Sequence, residues 1–313
     1  MRQVSNSPNE IPNGNLEKLP EVSVVIAAKN EARYLRDALE SVLSQTGVSF
    51  ELVFVDDNSD DHSLEIASTL TQNYSNLRIY KNPSRGKCSA FNLGVSFARG
   101  RFTCIFAGDD IMPAGSLAAR YAAVKDELDS KPVVGLSKLV TMSEMPKFDG
   151  HLVPKAPGRG ALSGVSPLMN KLVLNTIFPV PEDLPNEDTW MELAVLHMPD
   201  WTIIHSDVIC CKWRVHSGNS LNMTLPFKDY NQRMTIRFSA YSMYFERFQG
   251  EMTPSQRQIL AGKVACEQKR KAGDWLGVLL APVPLIDRLR ALSLTNSFMY
   301  EIRRRLYGLL TGW

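Results

Sequence analysis

Polar residues collect behind apolar runs at three places in this chain: Lys29-Asn30-Glu31 after VSVVIAA (22–28), Asp56-Asp57-Asn58-Ser59 at the end of FELVFVD (50–56), and Asp109-Asp110 after FTCIFA (102–107). A single aspartate behind a strand is ordinarily a helix cap. Three clusters at matching strand ends are harder to explain that way, because gathered like charges repel unless a cation or a donor-rich ligand joins them. A divalent cation held by few carboxylates completes its shell with water or phosphate oxygens, so the chemistry these residues suit is the handling of a diphosphate, in a sugar nucleotide or a nucleoside triphosphate. RGKCSAFNLG (85–94) places Arg85 and Lys87 ahead of a helix, within expected reach of the same phosphates. It is not a Walker loop, since Gly-x-x-x-x-Gly-Lys-Ser/Thr does not occur in the chain.

The elements that must position these groups alternate. Between the strands at 22–28 and 50–56, Leu35, Ala38, Leu39, Val42 and Leu43 recur at helical spacing. A second helix is expected after Asp60-Asp61, a strand at LRIYK (77–81), a helix at 88–98 and a strand at 102–107. A helix carrying Leu117, Tyr121, Val124 and Leu128 on one face follows. This rhythm implies right-handed crossovers and a mainly parallel, Rossmann-like sheet flanked by helices, whose ligands bind outside the carboxyl ends of the strands. Beyond residue 130 we expect a strand at 133–140, a Pro/Gly-rich loop at 144–165, helices at 166–175 and 187–198, and two strands meeting at a turn within 201–215. From 226 onward the pattern is helical; Phe227, Tyr230, Met234, Phe238, Tyr241, Phe245 and Phe248 mark a long helix with a core-facing stripe.

The 313 residues carry a formal charge of +2, from 35 Lys+Arg and 33 Asp+Glu, without the basic excess of a nucleic-acid binder, so no nucleic-acid partner is expected. Five cysteines without Cys-x-x-Cys spacing suggest neither zinc nor a disulfide framework and fit a reducing cytoplasm. Residues 1–20 read as a flexible polar leader, not a secretory signal. No run approaches the roughly 20 apolar residues of a membrane span; WLGVLLAPVPLI (275–286) is interrupted by Pro282 and Pro284. At the end of the chain Met299, Ile302, Leu306 and Leu309 form an apolar stripe beside Arg303, Arg304 and Arg305, with Arg288 and Arg290 before it. Such a segment either lies on an anionic membrane as a peripheral contact or packs on its own domain.

VVIAAKNEARYLRDALESVLSQ, FELVFVDDNSDD and GKCSAFNLGVSFARGRFTCIFAGDDIMP together resemble the nucleotide-sugar half of a family 2 glycosyltransferase with a GT-A fold. The resemblance continues in LSGVSPLMNKLV (162–173), in PNEDTWMEL (185–193) and in KWRVHSGNSLN (212–222), and covers roughly residues 22–222. It implies a nucleotide-sugar half at 21–130, an acceptor half at 131–224 and a helical C-terminal region at 225–313.

By this resemblance Asp57 contacts the nucleobase, usually uracil, and Ala27 and Lys29 line its pocket, Lys29 standing where many relatives have tyrosine. Asp109 matches the aspartate that holds Mg2+ or Mn2+ against the diphosphate, Ala107 occupies the place of a first aspartate, and Asp110 follows as a supporting or sugar-binding carboxylate. The matched motifs add Asn30, Glu31, Arg85, Lys87, Asn92 and Gly108 to the donor side, and Ser163, Gly164, Val165 and Trp190 to the acceptor side. Asp188, beside Glu187, matches the general base, a role that inverting transfer requires on chemical grounds: single in-line displacement needs a base on the acceptor and neutralisation of the leaving diphosphate. His216 either completes the metal site or touches the diphosphate, and Arg214 offsets the diphosphate charge. The expected activity is metal-dependent transfer of a sugar from a nucleotide donor, a uridine diphosphate sugar foremost, to a saccharide or lipid-linked acceptor in bacterial surface polysaccharide synthesis. Two other classes compete: a nucleotidyltransferase, which would more typically carry a Gly-rich N-terminal loop absent from KNEARYL, and a non-catalytic GT-A-like subunit, against which the retained Glu187-Asp188 argues.

Overall fold

A computed structural model describes residues 19–215 and 225–310, the last five by backbone alone. Strand and helix alternate through the first half: β1 (Val22–Ala28), α1 (Leu35–Leu43), β2 (Phe50–Asp56), α2 (Ser63–Leu70), β3 (Leu77–Lys81), α3 (Lys87–Ser96), β4 (Phe102–Ala107) and α4 (Ser116–Val124). The second half adds β5 (Val133–Met142), β6 (Leu152–Val153), β7 (Leu168–Asn170), α5 (Lys171–Ile177), α6 (Asp188–His197) and β8 (Thr202–Arg214). Five helices complete it: α7 (Phe227–Phe248), α8 (Pro254–Lys271), α9 (Trp275–Leu279), α10 (Leu285–Leu292) and α11 (Ser297–Leu310).

The strands form one sheet in the order β3-β2-β1-β4-β7-β5-β6, with β8 on the other edge of β5. β1 through β4 pair in parallel, as does β5 with β8; the short strands β6 and β7 run antiparallel. The expected mainly parallel α/β architecture is therefore the one observed. Both faces of the sheet are covered, which is why β1 is apolar at nearly every position and buried at all of them. Val25, Val53, Val55 and Ile105 face a core shared with α3, α5 and α6, while Val24, Ile26, Phe54 and Phe106 face the one under α1, α2 and α4. Of the aromatic stripe of α7, Phe248 joins the first of these cores and Tyr230 and Met234 a separate cluster with Leu294 and Tyr300, while Phe227, Phe238, Tyr241 and Phe245 are half-buried; Ala240 and Tyr244, outside the expected stripe, are buried in the first core.

Two expectations are corrected. The helix expected at 166–175 begins only at Lys171, because Leu168–Asn170 bridges β4 and β5 as a strand and the Asn170 side chain then accepts the Val173 amide as an N-cap. Residues 201–215 are not two strands around a turn but one bulged strand, parallel to β5 from Thr202 to Arg214. The polar interruption Ser206-Asp207 fills the bulge: Asp207 pairs with the buried Lys138 amine at 3.0 Å and accepts the Gly158 amide at 2.9 Å.

Candidate active site

At the carboxyl ends of β1, β2 and β4 lies a cavity of about 600 Å³. Its walls include Ala27, Lys29, Glu31, Asp57, Lys87, Gly108, Asp109, Asp110, Ser163, Gly164, Val165, Glu187 and Asp188. Residues from Ala27 to Arg237, 210 positions apart in the chain, thus meet in one space. Other expected residues stand outside it. Trp190 is fully buried, its indole donating to the Ile177 carbonyl and its ring packed edge-on against Tyr244 at 4.9 Å, so it is core rather than acceptor surface. Asn92 exchanges hydrogen bonds with the Val180 backbone, Asn30 receives the Asp60 amide from a left-handed turn at φ 56°, and Arg85 is exposed beyond the rim. His216 lies outside the described residues.

Each end of the cavity has its own electrostatic logic. Asp57, 5% exposed, sits just past β2 and accepts the Asn82 side-chain amide at 2.8 Å and the Gly86 amide at 3.0 Å, which ties the entry of α3 to β2. Asp109 is half-buried, whereas Asp110 is 2% exposed and held by the Arg214 amide at 2.7 Å and the Cys211 thiol at 3.2 Å. Burial, followed by the charge of Asp109, pushes the Asp110 carboxyl up to about 7. Arg214 does not line the cavity: its Nε donates to the Asp109 carbonyl at 2.7 Å and its guanidinium lies 4.3 Å from the Tyr34 ring centroid, so it fixes the carboxylate loop. Among the described residues no three His, Cys, Asp or Glu converge into a metal cage. Such a set would fit a divalent cation only as an ion that arrives with a diphosphate, for which Asp109 would give a carboxylate oxygen and phosphates and water the rest.

Opposite stand Glu187 and Asp188, at the start of α6. Lys87 Nζ reaches Glu187 Oε1 at 3.1 Å, and Arg237 Nη2 reaches Asp188 Oδ2 at 3.4 Å. Burial pulls Glu187 toward its protonated form, and the charge of Asp188 adds to that against Lys87. Burial opposes charge on Asp188 too, but Lys87, Arg237, a hydrogen bond from Glu187 and the Gly164 amide outweigh it and hold that carboxyl below its ordinary range. Two adjacent carboxyls are thereby shifted in opposite directions, Glu187 up and Asp188 down. Glu187 Oε2 and Ser163 Oγ are buried at the cavity wall with no hydrogen-bond partner among the described residues. Gly164 is required by close approach: a Cβ there would stand 2.5 Å from Asp188 Oδ1 and 3.0 Å from Glu187 Oε1.

Sequence reasoning missed Arg237 and Glu192, which line the same cavity. The signal for Arg237 was present: a guanidinium placed within the apolar stripe of α7, between Met234 and Tyr241. Glu192 lies one turn beyond Asp188 on α6 and had no comparable mark.

Residues 23–133 match the family model described as Glycosyl transferase family 2. Glycosyltransferase GlyG of Streptococcus pneumoniae serotype 4 is 31% identical over 115 residues, which is 36% of this chain and 38% of that protein. The chain spans under half the length of the curated relatives it matches. S. aureus TarS 1-349, solved in complex with UDP-GlcNAc, superposes with a TM-score of 0.58 at 18% identity, covering 91% of this chain and 86% of that one. Mannosyltransferase PcManGT from Pyrobaculum calidifontis, solved in complex with GDP-Man and Mn2+, gives a TM-score of 0.56 at 17% identity over 92% of this chain and 76% of that one. These structural likenesses establish the fold, a GT-A arrangement extending well past the matched segment. The chain therefore carries a glycosyl transferase family 2 domain over residues 23–133, the segment that brings Ala27, Asp57, Lys87, Asp109 and Asp110 to the cavity.

Proposed function

We propose that the protein is an inverting, metal-dependent glycosyltransferase that moves a sugar from a uridine diphosphate donor to a hydroxyl of a saccharide or lipid-linked acceptor, in bacterial surface polysaccharide synthesis. The observation that carries the reading is that one cavity gathers Asp57 and Asp109, read as the nucleobase and diphosphate contacts, with Glu187 and Asp188, read as its acid-base end. The ionised Asp188 takes the proton of the acceptor hydroxyl. The freed oxygen attacks the anomeric carbon, and the bond to the diphosphate breaks with its electron pair leaving on the phosphate oxygen. Lys87 stands between the two ends, close enough to Glu187 to hold the catalytic carboxylates and cationic enough to face the departing diphosphate. Mg2+ or Mn2+, held at Asp109, would supply charge neutralisation for the leaving group. Ser163 Oγ and Glu187 Oε2 offer unfilled hydrogen-bonding capacity to the acceptor. Incubation with a panel of nucleotide sugars and Mn2+ tests the reading: slow donor hydrolysis or selective binding is expected, and pyrophosphate release from a nucleoside triphosphate alone would point to a nucleotidyltransferase instead.

The same proposal places the protein on the inner face of the cytoplasmic membrane. No helix among the described residues is long and apolar enough to cross one. Yet α9 to α11 expose Trp275, Leu280, Leu285, Ile286 and Phe298, and α11 also exposes Arg304 and Arg305, a composition suited to an anionic lipid surface. Cosedimentation with phosphatidylglycerol vesicles should exceed that with phosphatidylcholine and fall in Leu280→Glu/Phe298→Glu; equal sedimentation of both proteins would remove the membrane from the account.

A further inference from the structure

A second cavity, of about 290 Å³, shares Glu192 and Arg237 with the first as a common wall. Its remaining lining comes from the C-terminal helices, and it is rich in cations: Arg237, Lys263, Arg270, Arg290 and Arg303 against Glu192, Glu267 and Asp287. Local pairing removes only part of that surplus. Arg270 is fully buried and satisfied by Glu267, its Nε donating at 2.7 Å, and Arg237 is engaged with Asp188 and Thr189. Lys263 and Arg290 share the single carboxylate of Asp287 at 3.9 and 3.8 Å, beyond hydrogen-bond length, and Arg303 donates to a neutral oxygen, Ser293 Oγ, at 3.0 Å. Three carboxyls therefore face five cations around the cavity, and burial raises that of Glu192 against Lys263, Arg237 and Arg290. Beside this cationic rim Phe238 and Tyr241 stack with ring centroids 5.4 Å apart, and both line the cavity.

We propose that the second cavity is a phosphate-binding acceptor subsite: Lys263, Arg290 and Arg303 receive a phosphate ester, Phe238 and Tyr241 carry the body to which it is joined, and the hydroxyl to be glycosylated extends past Arg237 to Asp188. Multiple convergent cations favour a phosphate oxygen cluster over a single carboxylate, and aromatic faces suit the C–H surfaces of a sugar or the first units of a prenyl chain. The proposal rests on the transferase reading for calling its ligand an acceptor, though not for the presence of an anion site. Phosphate borne by a glycan and phosphate borne by a lipid share this chemistry, and two probes separate them: glucose 1-phosphate and geranyl diphosphate.

Calorimetric titration of each probe into the full chain, into Lys263→Gln/Arg290→Glu and into Asp109→Asn tests the assignment. Arg290 has a side chain 70% exposed, so Arg290→Glu alone serves as a variant that leaves the core untouched. At least one probe should bind, lose about tenfold in affinity in either Arg290 variant, as expected when charge-assisted hydrogen bonds are removed, and keep its affinity in Asp109→Asn. Preference for glucose 1-phosphate identifies a glycan source and preference for geranyl diphosphate a lipid source. Failure of both probes to bind overturns the proposal, as does binding that Asp109→Asn abolishes and the Arg290 variants leave intact. Nucleotide-sugar hydrolysis by the unaltered protein, measured separately, shows whether the transferase reading has failed instead.

Discussion

Glu187 and Asp188 are neighbours in sequence but not in chemistry, and the difference is made by three groups around them. Lys87, Arg237 and the Gly164 amide converge on Asp188 and lower its carboxyl, while burial raises that of Glu187, 2% exposed, against Lys87. Replacing Asp188 by Asn should lower kcat by about 10²- to 10⁴-fold, the range of a lost general base, with donor affinity near normal; collapse of donor binding in a direct titration would show the base assignment to be wrong. Gly164→Ala makes the complementary test, because the added methyl meets Asp188 Oδ1 and the Glu187 Oε1 that Lys87 holds. We expect kcat to fall and the acceptor KM to rise while the melting temperature stays within a few degrees. At this scale the sequence was informative where a residue's role is local: the strand-end carboxylates and Glu187-Asp188 reach the cavity from their own motifs. Trp190 was misplaced because proximity to Asp188 along a helix says nothing of which face it occupies, and here that face meets Tyr244 and Phe248.

At the scale of elements, α7 reaches the cavity by carrying Arg237 out of its own apolar stripe to Asp188. Arg237→Gln removes a cation that lowers the Asp188 pKa, so that pKa rises. The acidic limb of the kcat/KM profile should therefore shift to higher pH, and an unmoved limb would separate Arg237 from the base. At the opposite end of the sheet Glu51, 2% exposed, accepts from Ser23 of β1, Arg78 of β3 and the Arg99 backbone and side chain ahead of β4. Burial alone would raise its carboxyl, but these donors together hold it below 4.5. A depressed native pKa means that the stabilisation is present above the unfolded value and is lost as pH falls through the native one. Glu51→Gln should cost about 2 to 4 kcal/mol in urea unfolding at pH 7, with the gap to wild type narrowing below pH 4.5. The first four strands were legible because apolar runs alternate with amphipathic helices, the pattern of a sheet covered on both faces. β8 was not, since Ser206-Asp207 interrupts its hydrophobic run as a turn would, and only its pairing with Lys138 and Gly158 reveals a bulge.

Across the whole molecule, the segment that matches the family model supplies one end of the cavity and the rest of the chain supplies the other, down to α7. The long-range contacts that join them could not be read from periodicity, which reports the inward face of each helix but not the neighbour it meets. His197, 3% exposed at the end of α6, is one place where that joining is pH-sensitive: burial, with a smaller push from Lys263, depresses its ring to about 4. The unfolded chain protonates first, near 6.5, so stability is complete above that pH and erodes as pH falls toward 4. His197→Leu should flatten this slope in thermal melts; an unchanged slope would place the acid sensitivity elsewhere. The central claim is that one cavity binds a nucleotide sugar at one end and activates an acceptor hydroxyl at the other. The measurement that meets it most directly is donor binding and turnover by the wild type and Asp188→Asn side by side, over a panel of nucleotide sugars with Mn2+. Selective binding of one donor by both proteins, with sugar release by the wild type alone, is the predicted result; no donor bound by either, or equal turnover by both, would contradict it.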